Sequence, residues 1–151
     1  MGLFRRNEEL VYRQQGLERF IEAQKHDYQL ALDEVRAGKK QNHWIWYIFP
    51  QMYGLGRSYF AHLYGIRDRE EAEAYLNHEI LGKRLREITM ALLEHDVCSA
   101  EAIFGDLDAM KVRSCMTLFD IVSPDDIFDE VLNKFYDSKR CNLTIRMLAD
   151  M

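Results

Sequence analysis

Leu17-Glu18-Arg19-Phe20-Ile21-Glu22-Ala23-Gln24-Lys25-His26-Asp27-Tyr28-Gln29-Leu30-Ala31-Leu32-Asp33-Glu34-Val35-Arg36-Ala37-Gly38 is the stretch on which the fold turns. Leu17, Phe20, Ile21, Tyr28, Ala31, Leu32 and Val35 fall on the i, i+3, i+4, i+7 rows of one helical face, while Glu18, Arg19, Glu22, Lys25, Asp33 and Arg36 take the other side. Gly38 supplies the stop, because glycine enters the left-handed conformation that closes a helix without steric cost.

The same period recurs downstream. Ser58 opens a helix carrying Tyr59, Phe60, Leu63, Tyr64 and Ile66, and Asp68 with Glu71 has capping-box spacing ahead of residues 70–77. Ile80, Leu81, Leu85, Ile88, Leu92 and Leu93 make one apolar stripe, and Ser99 caps a short turn ended by Gly105. Leu107, Met110, Ser114, Leu118 and Ile121 share a further face. Ser123-Pro124-Asp125-Asp126 reads as a helix start, with a capping serine, proline at the first position and acids in the first turn, ahead of Ile127, Phe128, Val131, Leu132 and Phe135. Asn142 caps a last helix through Leu143, Ile145, Met147 and Leu148. Period-two alternation is absent apart from a brief ambiguity over residues 44–49, and there is no repeat, heptad run or low-complexity tract. The expectation is all-α: a single compact multihelical domain of about seven helices. It spans residues 1–151, with a core over about 15–149 and residues 1–14 as an extension.

Composition sets the class of object. The chain has 151 residues, 48% of them hydrophobic and 30% charged, enough apolar content for a packed interior. Twenty basic against twenty-five acidic residues leave a formal charge of -5, which argues against a duplex-nucleic-acid binder or an anionic-membrane binder. No stretch approaches the about 20 apolar residues of a membrane-spanning helix. Met1-Gly2-Leu3-Phe4-Arg5-Arg6 runs into Asn7-Glu8-Glu9 instead of an apolar signal region, and its pattern does not suit myristoylation. Cys98, Cys115 and Cys141 are odd in number, with no Cys-x-x-Cys pair, so a reduced, cytoplasmic setting is expected.

Residues 39–58 break the helical pattern. Both tryptophans, Trp44 and Trp46, lie here with Tyr47, Phe49 and Tyr53, while Pro50 bars helix continuation and Gly54 and Gly56 permit close backbone approach. If Ser58 opens a helix, Gly56, Arg57 and Ser58 gather free backbone N–H groups, a helix dipole end and a guanidinium into an anion site. His43, Trp44, Trp46 and Gln51 complete the candidate ligand-binding set, the rings able to stack on a flat group. Read residue by residue, the tryptophans and Phe49 also suit core anchors. The Gly-x-Gly-x-Ser string matches neither a dinucleotide fingerprint nor a P-loop, and no cofactor is implied.

A second segment, residues 103–119, places Asp108, Lys111 and Ser114 within one or two turns of a helix. Lys111 suits an anionic substrate and Asp108 suits an acid or base, so these two are the candidate catalytic residues, with Ser114 as a ligand contact. The plain alternative is a surface Asp–Lys pair worth about 0–1 kcal/mol. Cys115 beside Arg113 reads as a buried inert thiol rather than an activated one. The five histidines have no metal-ligand spacing, and no metal site is expected.

Arg19-Phe20-Ile21-Glu22-Ala23-Gln24, His43-Trp44-Ile45-Trp46-Tyr47-Ile48-Phe49-Pro50-Gln51 and Gly54-Leu55-Gly56-Arg57-Ser58 together resemble the domain-of-unknown-function 1810 family. Glu71 to Leu76, Leu81 to Leu85, Ile103-Phe104-Gly105, Asp108, Lys111, Ser114 and Met116-Thr117-Leu118-Phe119 extend the likeness across most of the chain. The resemblance implies a multihelical, cytoplasmic bacterial protein like the mycobacterial conserved hypothetical members. It brings no established activity, and the calpastatin label that some members carry has no mechanistic basis. The chain departs from the family pattern at Ser138-Lys139-Arg140-Cys141-Asn142, where a Gly-Asp-like pair is expected before the final helix. Element order, with Gln24-Lys25 and Lys134-Phe135, is also similar to the ADP-ribose-processing family founded on YbiA-type proteins, an analogy at fold level.

The leading functional expectation is a small-ligand domain for an anionic nucleotide or ADP-ribose-like compound, extending to a hydrolase if Asp108 and Lys111 share the cleft. The alternative is a protein-interaction module that uses an exposed aromatic patch around Tyr47, Tyr53 and Tyr59, without catalysis.

Overall fold

Glu18 to Ala37 forms helix α1, and Gly38 closes it in the left-handed conformation, φ 81°, with its N–H on the Glu34 and Val35 carbonyls. The structure, a computed structural model, describes residues 16–97 and 99–151. The signal and acylation readings at Met1 to Glu9 and the thiol of Cys98 lie outside the described residues. Eight further helices follow: α2 (Ile45–Ile48), α3 (Tyr59–Leu63), α4 (Arg69–Asn77), α5 (Leu81–Leu93), α6 (Ala100–Phe104), α7 (Asp106–Val122), α8 (Ile127–Phe135) and α9 (Asn142–Ala149). Among the described residues there is no strand beyond one parallel bridge between Met52 and Ile66, so the fold is all-α. The single turn α2 occupies the segment whose period was ambiguous. None of these helices is long and apolar enough to cross a membrane.

Local start signals act as their chemistry dictates. Ser58, Asp68 and Ser99 each accept the backbone N–H three residues on, from Ala61, Glu71 and Ala102. Ser123-Pro124 does not open α8, which corrects the reading of that motif. Asp126 is the cap: its carboxylate accepts the Ile127 N–H at 2.7 Å, the Ser123 hydroxyl at 2.7 Å and Arg86 from α5 at 2.7 Å. Burial pushes that carboxyl up, and the Arg86, Ser123 and Ile127 donors outweigh it and hold the group below its ordinary value. A carboxylate fixed by a guanidinium outcompetes the neutral serine for the capping position. The last helix likewise starts one residue earlier than expected, capped by Cys141 with Asn142 as its first residue.

The buried apolar side chains form one connected cluster, and α7 runs through it, packed against α4, α6, α8 and α9 and touching α2. This placement corrects the face assigned to α7. Ser114, Cys115, Met116, Thr117, Leu118 and Phe119 are all buried in succession, while Leu107 and Met110 are 76% and 57% exposed. A helix surrounded by neighbours has no polar side, so a single-face pattern misreads it. In α9, Leu143 and Ile145 are exposed and Thr144 and Leu148 are buried.

A second correction explains how the irregular segment is held. Arg19 was assigned to the solvent face of α1, yet it is buried. Its guanidinium donates to the Leu63 carbonyl at 2.7 Å, the Gly65 carbonyl at 2.8 Å and Glu71 at 2.8 Å. Gln24 donates to the Tyr47 carbonyl at 2.7 Å and to the Tyr75 hydroxyl at 2.9 Å. Glu34 accepts from the Gln41 and Asn42 backbone N–H groups at 2.7 and 3.0 Å and from the Trp44 indole at 3.0 Å. Three buried polar side chains of one helix thus bond the chain between residues 41 and 65, where backbone groups have few helical partners of their own.

Candidate functional site

Three segments converge on one cavity. The first is the turn after Pro50, where the Tyr53 N–H donates to the Ile66 carbonyl at 2.8 Å and the Ile66 N–H to the Gln51 carbonyl at 2.9 Å. Gly56 then passes so close to α3 that a Cβ built on it would stand 2.7 Å from the Ala61 Cβ. Replacing Gly56 by alanine is therefore expected to cost about 1–3 kcal/mol through overpacking, read as a lower denaturant midpoint at unchanged m value. The second segment is the first half of α7. The third is the loop over residues 136–141, whose Asp137 and Ser138 take left-handed backbone, φ 51° and 63°. At Ser138, where the family pattern anticipates glycine nearby, a non-glycine residue holds a conformation that glycine adopts freely.

The cavity encloses about 570 Å³, within the range of small-molecule sites. Gln51, Leu55 and Gly56 form one wall, Leu107, Met110, Lys111, Arg113 and Ser114 a second, and Lys139 to Leu143 the third. The lining holds four basic side chains, Lys111, Arg113, Lys139 and Arg140, and no acidic one, in a chain whose net charge is -5. Two of the four are compensated from behind: Lys111 meets Asp108 at 3.3 Å, and Arg140 meets Asp120 at 3.2 Å. Arg113 Nε is buried with no hydrogen-bond partner among the described residues, and Lys139 is exposed at the rim.

The structure thus brings Gln51, Gly56, Lys111 and Ser114 to a common cleft, and Trp46 stands beside them. Its half-buried ring packs on Phe60 and lies 5.4 Å from the Lys111 ammonium. The other candidates lie elsewhere. Trp44 is fully buried against Phe49 and Phe104, so it anchors the core. His43 is exposed and does not line the cavity, nor do Arg57 and Ser58, the latter serving as the α3 cap. Asp108 has both carboxylate oxygens engaged, by Lys40 at 2.9 Å and Lys111 at 3.3 Å, and is not part of the lining. Among the described residues no group of three or more His, Cys, Asp or Glu is arranged to hold a metal.

Sequence reasoning passed over Arg113, Lys139, Arg140 and Cys141. The signal for the last three was the Lys139-Arg140-Cys141 run directly ahead of a helix, which places a thiol at a positive helix end beside cations. The Cys141 thiol is held below its ordinary value. Burial raises it, and hydrogen bonds from Ser114, from the Thr144 side chain and backbone, and from the Leu143 N–H lower it further than burial raises it. Cys115 is the opposite case, fully buried with its thiol pushed well up by desolvation.

Comparison with solved structures finds the crystal structure of the conserved hypothetical protein Rv1873 from Mycobacterium tuberculosis. It superposes with a TM-score of 0.86 at 42% identity, covering 89% of this chain and 96% of that one. No curated protein matches. The profile of the family described as protein of unknown function (DUF1810) matches residues 14–148, and the chain belongs to that family.

Proposed function

We propose that this chain is a binding domain for a small anionic ligand, a nucleotide or ADP-ribose-like compound, seated between the Gly56 turn, α7 and the loop before α9. The observation that carries the reading is the cavity lined by Lys111, Arg113, Lys139 and Arg140 with no carboxylate among them. Phosphate or carboxylate oxygens suit the Arg113 guanidinium in the cavity wall and the exposed rim ammonium of Lys139, which has no ion pair among the described residues. Leu55, Leu107, Met110 and Leu143 offer apolar surface for a ring or base, the usual division of labour in a ligand pocket. Hydrolysis by Asp108 fits this geometry less well than binding does, since its carboxylate is occupied by two ammonium groups.

Thermal unfolding with nucleotides, NAD, ADP-ribose and sugar phosphates tests the reading. A ligand at about 100 times its Kd adds about 2.7 kcal/mol, a rise of roughly 5–10 °C in a domain of this size. Lys139→Glu, an exposed change, is expected to abolish that rise, and Arg57→Ala, outside the cavity, to preserve it. A rise lost in Arg57→Ala but kept in Lys139→Glu would place the anion at the glycine turn instead and overturn the cavity assignment. No rise with any compound favours the second reading, a protein-partner surface. That surface has its own observation: Tyr59, Tyr53 and Phe60 are 74%, 48% and 44% exposed, although Tyr47 is buried with its hydroxyl on Asp27 and leaves the expected patch.

A further inference from the structure

We infer that Gln51 sets the specificity of the cavity, and that the ligand presents to it an adenine-type edge, an amino donor beside a ring-nitrogen acceptor. The inference rests on the nucleotide reading above and names the base that the site takes. Gln51 is only 9% exposed and lines the cavity with Leu55 and Gly56. Its backbone is committed to the turn, the carbonyl accepting the Ile66 N–H at 2.9 Å. Its carboxamide has no hydrogen-bond partner among the described residues. Nor is that group sealed off: the Arg113 Nε is shut inside the protein, whereas the Gln51 carboxamide stays reachable from the cavity. Gln24 shows what a buried carboxamide does when its role is structural. It donates to the Tyr47 carbonyl at 2.7 Å and to the Tyr75 hydroxyl at 2.9 Å.

A carboxamide held in a protein wall without a partner is costly, and a ligand that brings both an acceptor and a donor removes the cost. The side chain of glutamine sets a carbonyl acceptor beside an amide donor in one plane. Adenine offers the complement, its N6 amino donor beside the N7 acceptor, whereas the same edge of guanine presents two acceptors and suits a cation instead. The place of Gln51 in the cavity also orients the ligand. Its wall carries no cation, while Lys111 and Arg113 stand on the second wall and Lys139 and Arg140 on the third. A base edge at Gln51 therefore leaves the phosphates to the cations. Gly56 keeps room beside the amide, because a Cβ on it would stand 3.6 Å from the Gln51 Nε2.

Calorimetric titration of the full chain with four probes tests this: ADP, GDP, inorganic pyrophosphate and the diphosphate of purine riboside, which lacks only the amino group of adenine. ADP is expected to bind about 5–150-fold more tightly than the purine riboside diphosphate or GDP, the discrimination of one two-point base contact. Gln51→Met keeps the length of the side chain and removes donor and acceptor together. It is expected to bring ADP level with the purine riboside diphosphate while leaving pyrophosphate affinity unchanged. Its urea midpoint without ligand is expected at or above that of wild type, since an apolar group replaces an unpaired amide. A lowered midpoint with the preference for ADP intact makes Gln51 a structural residue and overturns the inference. So does wild-type protein that binds the purine riboside diphosphate or GDP as tightly as ADP, whether or not the variant folds, and binding of either nucleotide or of pyrophosphate then leaves the anion cavity standing. Failure of all four probes to bind overturns the nucleotide reading and this inference together.

Discussion

Trp44→Ala is expected to lower the unfolding free energy by about 3–5 kcal/mol, a large part of the 5–15 kcal/mol that holds an ordinary domain together. The indole is fully buried, with Phe104 edge-on at 6.4 Å and Phe49 tilted at 6.3 Å, so truncation opens a void among rings that cannot close around it. It also donates to Glu34 at 3.0 Å, and removing that donor leaves a buried carboxylate with less compensation. Trp44→Phe separates the two effects, restoring most of the volume without the N–H donor, and is expected to recover more than half of the loss. Urea unfolding at pH 7 gives both numbers, provided the m value is unchanged. A loss below about 1 kcal/mol for the alanine variant would mean that the ring is not the plug of this core. The variant would leave the cavity residues in place, so ligand-induced stabilisation measured against its own baseline should persist.

The helical frame was legible because most of its signals are local. A serine or aspartate that caps its own helix reaches three residues along the chain, and Gly38 needs only its own backbone freedom, so Ser58, Asp68, Ser99 and Gly38 could be read without knowing any neighbour. Where a residue answers to distant chain, the reading failed. Arg19 looks like a solvent charge until Glu71 and the carbonyls of Leu63 and Gly65 are brought to it. Leu107 and Met110 look like core until α7 is seen to enter the interior one turn later. Asp126 displaced Ser123 as a cap because Arg86 arrives from α5. The candidate site divides along the same line. Gln51 and Gly56 belong to the segment that breaks the helical pattern, Lys111 and Ser114 to a regular helix whose polar residues lie within one or two turns of each other, and they meet. Cys141 reaches the cavity only when the loop before α9 folds against α7, and no spacing within its own segment encodes that.

Acid is expected to loosen the segment that Glu34 holds. Burial pushes this carboxyl up, but donors from the Asn42 side chain, the Gln41 and Asn42 backbone and the Trp44 indole bring it from 4.5 down to about 2. The unfolded chain therefore binds this proton more readily than the folded one. The contribution is fully present above the unfolded value of 4.5 and is lost as pH falls toward 2, for a total of about 3 kcal/mol. Urea unfolding at pH 7, 5, 4 and 3 should show that slope, and Glu34→Gln should remove most of it while being less stable than wild type at pH 7. A residual slope from Asp126, whose carboxyl is also held low, should survive in the variant. If Glu34→Gln kept the full acid slope, the carboxylate would not be what fixes residues 41–44. The consequence reaches the cavity through one short chain of contacts. The loop that Glu34 fixes presents Lys40, Lys40 meets Asp108 at 2.9 Å, and Asp108 meets Lys111 at 3.3 Å, where Lys111 faces the cavity. A carboxylate buried beneath the aromatic segment thus sets where one of the four cavity cations stands, so loss of its charge should weaken anion binding before it unfolds the protein.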